Sequence, residues 1–89
     1  MKWLMSPDGL TAVNADRIDS ITLNGGEFYT YPDRALLAEY NADEDLLVEL
    51  LEYVIRWISA GDDGERLQLP EDADYKITQL INDGGREDW

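Results

Sequence analysis

The side chains of this sequence that are dense enough to do chemistry are carboxylates. Asp43, Glu44, Asp45, Glu49 and Glu52 fall between residues 43 and 52, and Asp62, Asp63 and Glu65 follow within the next segment. Such a set can hold a hard cation, act as a general acid and base, or present a field of fixed negative charge. For calcium, an EF-hand loop places oxygen ligands at alternate positions, Gly at the sixth and Glu at the twelfth. Counting from Asp43, the fifth position is Leu47 and the sixth is Val48, so the loop fails, and the string GDDGE (residues 61–65) is too short to encircle an ion. No metal site is expected.

Acid–base catalysis by paired carboxylates needs two of them facing across a cleft. With 20 acids in 89 residues almost any pairing can be drawn, and a chain of this length offers little cleft. The chain has no Cys and no His, which removes thiolate and imidazole nucleophiles, the Ser-His-Asp triad, the usual zinc sites and any disulfide. No catalytic residue and no cofactor is expected, and the protein is read as not an enzyme.

Presentation of charge remains. The formal net charge is −13, and residues 43–74 alone hold eleven acids against two bases, a net −9. A field of this sign repels nucleic acid and anionic membrane and attracts basic protein surfaces. On a helix, Asp45, Glu49 and Glu52 rise by about 6 Å and then about 4.5 Å along one stripe. DNA spaces its charges by about 3.4 Å per strand, so a carboxylate-studded helix can enter a basic groove built for DNA. Arg56 interrupts the stripe, and Asp45 and Glu49 repel each other at i,i+4 by about 0.2–0.5 kcal/mol. The bland alternative is a solvated face: acids near a helix start favour its dipole, Glu52 and Arg56 can pair at i,i+4, and negative charge keeps a small domain soluble. Two Lys against twelve Asp is also a salt-adapted bias.

The elements that position these acids follow from turns and periodicity. Ser6-Pro7-Asp8-Gly9 suits a type I turn between the apolar runs Trp3–Met5 and Leu10–Val13, predicting a hairpin. Asn14-Ala15-Asp16 reads as a second turn, and Ile18, Ile21 and Leu23 mark a strand in which Asp19-Ser20 breaks alternation as a bulge would. Asn24-Gly25-Gly26 is a tight-turn signal, since Gly accepts positive φ at little cost. Beyond it, Phe28 and Thr30 share one face and Tyr29 and Tyr31 the other. Residues 34–40 are read as a strand, despite their helix-forming Ala, Leu and Glu, because Asp43 supplies an N-cap immediately afterwards.

A helix is predicted from about Asp43 to Ala60, stopped by Gly61. Leu46, Leu47, Leu50, Leu51, Val54, Ile55 and Ile58 form its core face, and Asp45, Glu49, Glu52, Arg56 and Ser59 the opposite one. Tyr53 borders the acidic stripe, where an aromatic can anchor an interface. Trp57 is assigned to the core. Residues 61–65 read as a loop, Arg66–Leu69 as one more strand, and Glu71–Ile81 as a short C-terminal helix carrying Tyr75, Ile77, Leu80 and Ile81. Residues 84–89 read as a loose tail. The apolar run at the N-terminus is too short for a signal peptide or a membrane span, and a cytoplasmic location is expected.

The strings WLMSPDGLTAVNADRIDSI (residues 3–21), LLAEYNADEDLLVELLEYVIRWI (36–58) and LQLPED (67–72) resemble a family of small uncharacterised bacterial proteins common in Firmicutes and in phage or mobile-element gene sets. The resemblance covers roughly residues 3–72. It implies a strand meander on one long helix and a mobile-element origin, and it implies no active site. Gln68 and Leu69 stand where the family pattern has an aromatic and Met, and the stretch from Asp74 to Trp89 extends beyond it.

The expected architecture is therefore one α+β domain over residues 1–89: an antiparallel sheet of four or five short strands on one long amphipathic helix, with a short C-terminal helix. The expected function is an acidic inhibitor of the DNA-mimic type, which occupies the basic nucleic-acid-binding surface of a host protein such as a CRISPR effector, in the manner of anti-CRISPR proteins. Its partner-binding residues would be Asp43, Glu44, Asp45, Glu49, Glu52, Tyr53, Asp62, Asp63 and Glu65. Neither direct nucleic-acid contact nor membrane contact is expected. The competing reading is a non-catalytic accessory or homo-oligomeric protein, such as a homodimer, joined through apolar contacts.

Overall fold

The computed structural model describes residues 2–60 and 66–83. The chain opens with strand β1 (Trp3–Met5), the Ser6–Gly9 turn and strand β2 (Ala12–Asn14). The turn closes as its sequence requires: the Gly9 amide donates to the Ser6 carbonyl at 2.9 Å, and the Asp8 carboxylate accepts from Ser6 Oγ and from the Leu10 amide. β2 pairs antiparallel with β1, placing Leu4 against Val13.

A single 3-10 turn, Ala15–Arg17, then takes the chain out of this sheet. Asn14 Oδ1 accepts the Asp16 amide at 2.9 Å, and the Ala15 amide donates to the Lys2 carbonyl. Strands β3 (Ser20–Asn24), β4 (Glu27–Tyr31) and β5 (Ala35–Glu39) follow as an antiparallel meander in a second sheet, with β4 in the middle. The β3–β4 connection is the two residues Gly25 and Gly26, at φ 60° and 88°. Two successive positive φ values make the mirror-image turn whose twist matches flanking strands.

Phe28 and Thr30 point inward and are almost fully buried, as their alternation predicts. Between β4 and β5 the register slips. Phe28 faces Ala38 whereas Tyr29 faces Leu36, so Leu37 is an extra residue and both Leu37 and Ala38 reach the core. A bulge re-aims one side chain in this way.

Helix α1 (Glu44–Ser59) crosses back, strand β6 (Arg66–Gln68) follows, and helix α2 (Asp74–Asp83) ends the described chain. β6 lies parallel to β1, Leu67 beside Leu4, and the Leu69 amide extends the pairing to the Met5 carbonyl. The α+β class stands, but the described strands form two sheets of three, ordered β2-β1-β6 and β3-β4-β5, where a single antiparallel sheet was expected. The 3-10 turn separates the first hairpin from the meander, and the α1 crossover returns β6 in the direction that a parallel pair needs.

One core serves both sheets and both helices: Leu4, Phe28, Leu37, Tyr40, Leu47, Leu50, Val54, Leu67, Leu69 and Ile77 are its largest members. Each fully buried aliphatic contributes about 1.5–3 kcal/mol. Two assignments to apolar faces need correction. Ile55 is 44% exposed, because five residues of helix rotate it by about 140° from Leu50 at the centre of the buried stripe. Tyr75, in the first turn of α2, is 69% exposed, and Ile77 is the α2 residue that fills the core. No described helix is long and apolar enough to cross a membrane.

Candidate protein-binding surface

The acids of α1 lie where the helical wheel puts them. Asp45, Glu49 and Glu52 are exposed on the side away from Leu47, Leu50 and Val54, Glu44 is exposed on the flank beside Leu47, and Asp43 is exposed just before them. Asp43 holds the N-cap position, and its carbonyl accepts the Leu47 amide at 3.0 Å, but its side chain makes no capping hydrogen bond. Its carboxylate therefore acts on the helix through the dipole alone. Tyr53 is half-buried at the margin between the two faces. Asp62, Asp63 and Glu65 lie outside the described residues.

Among the described residues, internal pairing does not neutralise this face. Glu52 and Arg56, one turn apart, form no ion pair. Among the described residues, the pairing of opposite charges is between Lys76 and Glu71, 3.1 Å apart at the head of α2. That contact and its hydrogen bond hold the Lys76 ammonium above its ordinary pKa. Val48 and Ile55, a heptad apart, are exposed within the same helical arc, so the charge is interleaved with aliphatic surface.

Both ends of α1 are held by contacts that span the chain. At its foot, Lys2 is 4% exposed, and its Nζ donates to the carbonyls of Trp57 and Ala60, each at 2.6 Å, and of Ile58 at 3.4 Å. An ammonium at the C-terminal carbonyls opposes the negative end of the dipole and satisfies acceptors that the helix leaves open. At its head, the Tyr40 hydroxyl donates to the Pro70 carbonyl at 2.7 Å, and its ring meets Phe28 edge-on. Burial pushes the Tyr40 hydroxyl pKa well above its ordinary value, with the nearby Asp72 charge adding to the shift. The Asp72 carboxylate accepts from the Asn41 amide at 3.1 and 3.2 Å and from Asn41 Nδ2 at 3.2 Å. Asp72 thereby adds a carboxylate beside the loop that leads into Asp43 and Glu44.

Sequence reading missed Lys2, Asp72 and Tyr40 as positioning residues. Their partners lie 55, 31 and 30 or more positions away, beyond the reach of any local pattern. The signal within reach was the burial-prone context of Lys2, a charge placed directly before the apolar run Trp3–Met5.

Several depressions mark the described surface. The one beside the head of α1, about 410 Å³, is lined by Leu23, Tyr40, Asn41, Val48 and Leu51 with Glu44 as its carboxylate. Another, of about 290 Å³, brings Asp8 and Glu39 to one rim. The hydrogen bond from Ser6, and then that from the Leu10 amide, lower the Asp8 pKa, which works against a proton-donating role. Among the described residues, no three carboxylates converge to hold a metal ion. Compared with protein-family models, curated proteins and solved structures, the chain matches none of them.

Proposed function

We propose that this protein is a non-enzymatic, acidic inhibitor that covers the basic nucleic-acid-binding surface of a host protein, a CRISPR effector being one such target. The observation that carries the reading is the exposed stripe Asp45, Glu49 and Glu52, with Glu44 exposed at its head, on a helix anchored at both ends and, among the described residues, with no neutralising ion pair to Arg56. Carboxylates that stay unpaired keep their charge available to a partner, and a rigid helix presents them without an ordering cost. The concentration of charge in residues 43–74 and the resemblance to phage and mobile-element proteins point the same way.

Val48 and Ile55 add apolar contact between the charges, which an interface needs for affinity beyond electrostatic steering. The test is capture of partners from nuclease-treated extract by the tagged protein, with wild type compared against the triple reversal Asp45→Lys, Glu49→Lys, Glu52→Lys. A partner that is lost on reversal, weakened by salt and displaced by added duplex DNA supports mimicry. A partner kept by the folded reversal variant, or indifferent to DNA, sinks it.

A further inference from the structure

We propose that the outward face of the β2-β1-β6 sheet is where two copies of this chain meet. The strand register sets its composition. Leu4, Val13 and Leu67 turn inward, so the outward side carries Trp3 and Met5 on the central strand, Ala12 and Asn14 on one flank, and Arg66 and Gln68 on the other. Trp3 is 38% exposed, and Ala12, Arg66 and Gln68 are exposed on the flanks.

The occupant follows from charge. Acids make up 20 of the 89 residues, yet the six residues of this face include none. A hydrated sheet face ordinarily carries polar residues, and here the central strand carries an indole and a thioether, with a methyl group, two carboxamides and one guanidinium on the flanks. Two chains of net charge −13 repel each other over most of their surface. The acid-free face is where that repulsion is least.

The rim is self-complementary as well. The apolar surface runs from Trp3 into an adjoining depression of about 440 Å³, lined also by Tyr31, with Arg17 and Asp33 among its residues. Neither charge has an ion-pair partner within its own chain among the described residues. A two-fold contact uses the same patch on both copies, so residue i meets j and j meets i. Arg17 of each copy then pairs with Asp33 of the other, and the Trp3 rings are buried between them. The face contains none of the α1 carboxylates, so the dimer is tested apart from the proposed partner.

Sedimentation equilibrium of the full chain over a concentration series tests it. The expected result is a mass rising from 10.2 kDa towards twice that value. Association should tighten as salt rises from about 0.1 to about 1 M, because the screening length falls from about 10 to about 3 Å and the net repulsion fades. Ala12→Glu puts a carboxylate on the face and should abolish the dimer. Arg17→Asp should weaken it at least tenfold, and adding Asp33→Arg should restore it. A constant 10.2 kDa under all conditions overturns the proposal, as does a dimer that survives Ala12→Glu in a protein with wild-type circular dichroism. Failure of the Arg17/Asp33 swap to restore association overturns the two-fold arrangement.

Discussion

Lys2 Nζ donates to the Trp57 carbonyl at 2.6 Å while lying 5.2 Å from the centroid of the same residue's indole ring. One ammonium thus meets both the last turn of α1 and a π face, and the first residues of the chain are tied to the end of its main helix. Lys2→Met keeps the apolar stem and removes the charge, leaving the Ala60 carbonyl without its donor and the Trp57 carbonyl with only the Ala60 amide at 3.3 Å. Hydrogen bonds to charged groups contribute about 1.5–3 kcal/mol each, and a buried carbonyl left unpaired costs about as much. The expected loss in urea unfolding free energy is about 2–3 kcal/mol. A loss below about 0.5 kcal/mol, the range of an ordinary surface change, would remove Lys2 from the stabilising framework.

Tyr40 predicts a pH dependence. Burial raises its folded pKa above the unfolded value of about 10, so above that pH the unfolded chain gives up a proton that the folded chain retains. The unfolded state then binds fewer protons, and stability falls as pH climbs beyond about 10. Unfolding midpoints followed into the alkaline range should decline in wild type and decline less in Tyr40→Phe. At neutral pH the same variant should lose about 0.5–1.5 kcal/mol, the worth of its bond to Pro70.

The two glycines of the β3–β4 turn should respond differently to the same substitution. Gly25, at φ 60°, has open space where a Cβ would go, so Gly25→Ala should cost about 1–2 kcal/mol of backbone strain alone. At Gly26, φ 88°, a Cβ would overlap the Tyr40 carbonyl, and the backbone of Tyr40 cannot yield freely because its amide also binds the Gly26 carbonyl at 2.8 Å. Gly26→Ala should therefore cost measurably more than Gly25→Ala in thermal unfolding. Equal losses would mean that the Gly26–Tyr40 approach is looser than described.

Arg34 makes the opposite case. It sits at φ 59° in the turn between β4 and β5, a region where a side chain costs roughly 1–2 kcal/mol. Arg34→Gly should recover part of that, offset by the greater freedom of Gly in the unfolded chain. A gain of a few tenths of a kcal/mol up to about 1 is expected, read as a higher urea midpoint at unchanged m-value. A clear loss would show that the arginine side chain contributes contacts of its own.

On the acidic face, stability and binding should move apart. Glu49→Gln relieves the i,i+4 repulsion with Asp45 and should stabilise α1 by about 0.2–0.5 kcal/mol. The same change removes one carboxylate from the proposed partner surface and should weaken capture in a salt-dependent way. If stability rises and capture is unaffected, Glu49 serves neither the fold nor the partner.

Much of the local structure was determined by the sequence itself. The Ser6–Gly9 and Asn24–Gly26 turns, the inward alternation of Phe28 and Thr30 and the helical stripe through Leu47, Leu50 and Val54 all depend on neighbours within four residues. Over that range φ preference and side-chain period decide the outcome. The absence of Cys and His, and the concentration of acid in residues 43–74, were equally plain. Tertiary structure decided the rest. Nothing local tells β1 that its second neighbour is β6, more than sixty residues on and parallel, because the choice depends on which strand edge remains open after α1 crosses back. The same holds for the Leu37 bulge, for Ile55 facing solvent and for Lys2 beneath α1. Each is settled by what fills the space beside it, and that neighbour comes from a distant part of the chain.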